Sequence, residues 1–80
     1  MSADSVPLST LAVGARASVV EIRVGAGSRG RLMEMGLLVG TKIDLVRFAP
    51  LGDPVEIKVR GYHLTLRRQE ADLIFVQPAS

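Results

Sequence analysis

Between residues 55 and 67 apolar and polar side chains alternate, and a single glycine interrupts them. Val55, Ile57 and Val59 are followed, across Gly61, by Tyr62, Leu64 and Leu66. Glu56, Lys58, Arg60, His63, Thr65 and Arg67 stand between them. A period of two puts every second side chain on one face of an extended chain. The stretch therefore predicts two half-buried strands. Gly61 permits the tight reversal that joins them as a hairpin. A lone hairpin is marginal in water, so its apolar face needs further strands.

The rest of the chain supplies them. Arg16 to Val24 alternates, with Val20, Ile22 and Val24 on one side and Glu21 and Arg23 on the other. Thr41 to Phe48 places Ile43 and Leu45 inward, and Leu73 to Val76 makes a last strand closed by Pro78. Pro7 to Leu11 reads as one helical turn ended by Gly14, and Gln69 to Asp72 as one 3₁₀ turn. Ser28 is placed to cap a short helix over residues 29–35, with Leu32 and Met35 on one face. The structural turns fall at Gly36, Gly40, Pro50, Gly52, Asp53, Pro54 and Gly61. The expectation is a mainly β chain: a small closed five-stranded barrel with one or two short helices. Residues 1–80 form one domain, with 1–7 flexible.

Composition narrows the chemistry. Of 80 residues 48% are hydrophobic but only 4% aromatic, with no cysteine and one histidine. Disulfides, thiolate metal sites and a cysteine nucleophile are excluded. The lone histidine, His63, falls on an outward strand position beside Thr65 and Arg67. It reads as a surface residue, and no metal site or cofactor is expected. No catalytic constellation is present, so the chain does not read as an enzyme. The formal net charge is +2. Such a weak field, with few stacking groups, argues against nucleic acid as a partner. The apolar runs are far shorter than the roughly 20 residues of a spanning helix. No basic leader is seen, so the expected location is cytoplasmic, without membrane insertion.

Gly25, Gly27 and Gly30 spell G-x-G-x-x-G after a strand and before a helix. That spacing binds dinucleotide phosphates only within a βαβ unit. Here the helix is about two turns and no second crossover follows. The glycines read instead as a strand-to-helix corner.

A more specific pattern spans residues 31–41: Arg31-Leu32-Met33-Glu34-Met35-Gly36-Leu37, then Gly40-Thr41. Pro50-Leu51-Gly52-Asp53-Pro54-Val55 follows, then Gly61, Leu64, Leu66, Arg67 and Glu70-Ala71. With Leu8-Ser9-Thr10-Leu11 and Gly14, this set resembles the FeoA family over nearly the whole chain. The resemblance implies an SH3-like barrel. It also implies an accessory role in bacterial ferrous iron uptake, by contact with the cytosolic region of the membrane transporter FeoB. Recruitment to the inner membrane face and weak self-association are compatible with it. The barrel also occurs in iron- or manganese-dependent repressors, so a metal-responsive regulatory module is one alternative and a nucleic-acid-binding small barrel another. No helix-turn-helix segment accompanies the barrel here. Two departures stand out: Val39 occupies a position where many members have proline, and Gly30 replaces a basic residue.

The partner contact is expected at the helix and the loop after it. Met33, Leu37 and Leu38 are the apolar candidates, since deformable methionine and exposed leucine suit an adaptable contact. Arg29 and Arg31 flank them and suit acidic groups on a partner. On this reading an acid at Leu37 or at Arg31 blocks function and leaves the fold intact.

Overall fold

The computed structural model describes residues 5–79. Its strands are β1 (Val6–Pro7), β2 (Arg16–Ile22), β3 (Lys42–Phe48), β4 (Val55–Val59), β5 (Tyr62–Leu66) and β6 (Ile74–Pro78). They form one antiparallel sheet in the order β1-β6-β2-β3-β4-β5. Helix α1 (Ala26–Glu34) follows β2, and the one-turn helix α2 (Arg68–Ala71) follows β5. A 3₁₀ turn over Leu8–Thr10 stands where a helical turn was read.

The hairpin has the expected register, with Ile57 opposite Leu64 and Val55 opposite Leu66. Its two-residue turn takes Arg60 at φ 52° and Gly61 at φ 91°. Positive φ at both positions gives the turn a twist that matches the flanking strands.

Two bulges curl the sheet. Pairing shifts between Val19 and Glu21 against β6, and between Leu45 and Arg47 against β4. Each extra residue bends its strand and sharpens the local twist. The first bulge also corrects an expectation. The strand buries Ala17, Val19 and Ile22, while Val20 is only half-buried. Strict alternation assigned Val20 to the core because it cannot register an inserted residue.

The curled sheet closes around a single aliphatic core that includes Leu8, Val19, Leu32, Leu37, Ile43, Ile57 and Ile74. The sixth strand was not foreseen. Val6 and Pro7, read as part of a flexible leader, pair with Val76 and Phe75. Residues 1–4 of that leader lie outside the described residues. A strand of two residues is too short to show a period.

Helix α1 begins earlier than expected. Gly25 precedes its first turn and gives no side-chain cap, and Arg29 N–H donates to the Gly25 carbonyl at 2.8 Å. Ser28 lies inside the first turn instead of before it. At the far end Gly36 is left-handed, with φ 91°. A Cβ there would stand 2.6 Å from the Tyr62 hydroxyl. Both the backbone and the close approach require glycine.

Leu37 is 0% exposed. It is therefore not a contact residue, and an acid at Leu37 would bury an unpaired charge and unfold the domain. The Leu37 N–H donates to Leu32 O at 2.9 Å, which turns the chain back and drops the side chain into the core.

Leu37→Ala is expected to cost about 2–5 kcal/mol. Leu38→Ala, on the surface, should stay within about 0.5 kcal/mol. Gly30 has open space where a Cβ would stand. Gly30→Ala should therefore gain about 0.5–1 kcal/mol through helix propensity. Urea denaturation of the three variants checks all of these.

Candidate functional site

The last turn of α1 and the loop after it make one shaped unit. Gly36 N–H donates to Met33 O at 2.9 Å. Thr41 is buried, and its hydroxyl accepts from Leu38 N–H at 3.1 Å and donates to Gly36 O at 3.4 Å. Gly40 N–H donates to Val19 O at 2.7 Å, fastening the loop to β2. The Tyr62 hydroxyl donates to Met35 O, which ties the start of β5 to the helix end.

With Leu37 taken inward, the outer side of this unit is apolar. Met33 is 52% exposed, Leu38 40%, Val39 61% and Tyr62 43%. Val13, Leu51 and Leu73 are also exposed, each on a different turn, as scattered surface apolar residues commonly are. The loop is held by buried hydrogen bonds, so these side chains sit on a fixed base.

The two arginines part company. Arg29 is exposed, and its guanidinium donates to Ile22 O at 3.0 Å, seating α1 on the end of β2. Arg31 turns toward the body of the protein and forms an ion pair with Glu70. Glu70 is 5% exposed. Its other oxygen accepts the Arg67 N–H at 3.1 Å. Burial pushes the Glu70 carboxyl up, but Arg31, the Arg67 backbone and Ser28 outweigh it. The group is held below the usual carboxylate range. Arg31 is thus the side chain that locks α1 to α2, with about half of its surface still open.

The 49–54 turn braces the same corner. Ala49 N–H donates to Pro54 O at 3.0 Å, with Asp53–Pro54 cis. The Asp53 carboxylate accepts the Arg68 N–H at 3.1 Å, at the start of α2. The Ser9 hydroxyl donates to Asp72 at 2.5 Å and ties α2 to the 3₁₀ turn.

His63 lies on the outer face of β5. Its Nδ1 is 2.6 Å from Glu56, which also takes Arg47 at 2.9 Å. Hydrogen bonds from Arg47 and then His63 lower the Glu56 carboxyl. Among the described residues no group of three His, Cys, Asp or Glu is placed to hold a metal ion.

Of the residues singled out from sequence, Met33 and Leu38 are exposed, Arg29 is exposed and seated on the end of β2, Arg31 is an internal tie and Leu37 is core. Val39, Tyr62 and Glu70 were missed as participants. Val39 was marked only as a departure from proline. Tyr62 was counted as inward by alternation. Glu70 carries no local signal, because its partner is 39 positions away.

The FeoA domain family model matches residues 6–78. The chain belongs to the FeoA family. A Porphyromonas gingivalis Fe(2+) transport protein A/Fe(2+) transporter FeoB fusion protein is 39% identical over 70 residues. That match takes in 88% of this chain and 8% of the relative, so the chain spans a small part of the curated relative. The FeoA solution structure from Chlorobium tepidum is 44% identical, with a TM-score of 0.89 over 92% of this chain and 70% of that one. A manganese-dependent transcriptional repressor shares the fold, with a TM-score of 0.87 at 13% identity over 94% of this chain and 37% of that one. The chain thus has the mainly β, SH3-like fold expected from sequence, with a short sixth strand.

Glu70→Gln should lower stability by about 1–3 kcal/mol near neutral pH, where the ionised carboxylate holds Arg31. The folded carboxyl titrates below its unfolded value of about 4.3. Its contribution is therefore complete above that value and is lost as pH falls through the folded pKa. Denaturant titrations at about pH 7 and about pH 3 should show the gap between wild type and variant closing in acid.

Proposed function

We propose that the chain is a non-enzymatic, cytoplasmic accessory component of ferrous iron uptake. It acts by binding the cytosolic region of a FeoB-type transporter. The observation that carries this reading is the relative in which a matching segment and FeoB share one polypeptide. Tethering two modules raises their effective concentration, which suits domains that work in contact.

The surface that fits the role is the apolar collar at the end of α1. Met33, Leu38, Val39 and Tyr62 supply deformable and amphipathic contact area. Arg29 supplies a cation at the rim, where it steers and orients more than it anchors. Leu37 supports the collar from inside, and Arg31 keeps α1 in place. Among the described residues no helix is long and apolar enough to cross a membrane.

Calorimetric titration against the FeoB cytosolic region, in both nucleotide states, tests this. Binding at tens of micromolar or tighter is expected. Met33→Glu and Leu38→Glu should each weaken it about tenfold or more, a loss of about 1.4 kcal/mol. Their thermal melts should match wild type. Absence of binding in either state, with or without the membrane part, overturns the reading.

A further inference from the structure

The outer faces of β2, β3 and β4, with the β4–β5 turn, enclose a cleft of about 370 Å³. Its polar lining is Arg16, Ser18, Lys42, Asp44, Lys58 and Arg60. None of these belongs to the apolar collar.

Two independent observations mark this cleft. The first is charge. Among the described residues, Arg16, Arg23, Arg31, Arg47 and Arg68 lie against carboxylates. Of the five cations without such a partner, Lys42, Lys58 and Arg60 line the cleft, while Arg29 and Arg67 lie elsewhere. Its one carboxylate, Asp44, is taken by Arg16 at 3.1 Å. Four cations face one acid, a surplus larger than the +2 of the whole chain. Asp44 stands opposite both Arg16 and Lys58 in the strand register, which still leaves three net positive charges close together, and these repel one another.

The second observation is backbone conformation. Among the described residues Arg60 is the non-glycine residue with positive φ, at 52°. This turn position favours Asn, Asp or Gly, and a long side chain there costs stability. Strain kept at a charged cleft points to a use for the guanidinium.

The ligand follows from the lining. Guanidinium and ammonium groups suit phosphate oxygens, Arg as a fork and Lys as a point charge. No aromatic side chain lines the cleft, so nothing there stacks on a base. The volume lies toward the small end of the range for small-molecule sites. We propose that the cleft binds an anion of two or more linked phosphate groups, either free or as the phosphate end of a larger molecule.

Amide NMR titration of the full chain at low salt, with pyrophosphate and tripolyphosphate as probes, tests this. Shifts should concentrate at Ser18, Lys42, Lys58 and Gly61, and affinity should fall as salt rises. Arg60→Asn should weaken binding about tenfold while the melting temperature stays level or rises, since Asn accepts the left-handed turn. The double variant Lys42→Ala, Lys58→Ala should weaken it further. A nucleoside triphosphate that binds like tripolyphosphate marks the free phosphate chain as the determinant, and tighter binding marks a larger molecule. Scattered shifts, unchanged binding in Arg60→Asn, or response only to anionic vesicles overturns the proposal. The collar variants do not enter this experiment, so its failure leaves the transporter contact standing.

Discussion

The corner around Glu70 sets the position of much else. One buried carboxylate receives Arg31 from α1 and the Arg67 N–H from the end of β5. Such a group is tolerated inside only when its lone pairs are filled, and here they are. Arg31 stands in the last turn of α1, so the pair ties that turn to α2 with directional bonds. The helix itself is weakly held: of its nine residues only Leu32 is fully buried, and two are glycines besides. The ion pair adds to the hydrogen bonds through Thr41, Gly40 and Tyr62 that fix the base of the collar.

A second device acts at the same end of α1. Tyr62 and Gly36 meet so closely that a side chain at Gly36 would displace the ring. The last turn of the helix is thus pinned twice by residues from the second half of the chain, and Arg29 ties its earlier part to Ile22 O. Hairpin and helix form a unit, and the apolar collar rests on the joint between them.

The pattern of the hairpin was legible because period two survives wherever pairing is regular. Val55, Ile57, Val59, Leu64 and Leu66 are buried as read. Legibility failed where geometry is not periodic. Val20 was misassigned by a bulge, and β1 was too short to show a pattern. Leu37 and Leu38 are adjacent and chemically alike, so only the backbone turn at Gly36 decides which goes inside. At the site, Met33 and Leu38 were legible as surplus apolar residues. Glu70 was not, because long-range ion pairing leaves no trace in local sequence. The cleft escaped for the same reason: Arg16, Lys42, Lys58 and Arg60 come together only through strand register.

The brief pairing of β1 with β6 decides how the domain attaches to anything else. Val6 lies opposite Val76, and β6 runs on only to Pro78. Cross-strand neighbours are about 5 Å apart, so the polypeptide comes in and goes out almost at one point. Entry and exit points so close together let one narrow connection carry the whole domain. The domain can be joined to a much larger protein from either side without bending its sheet.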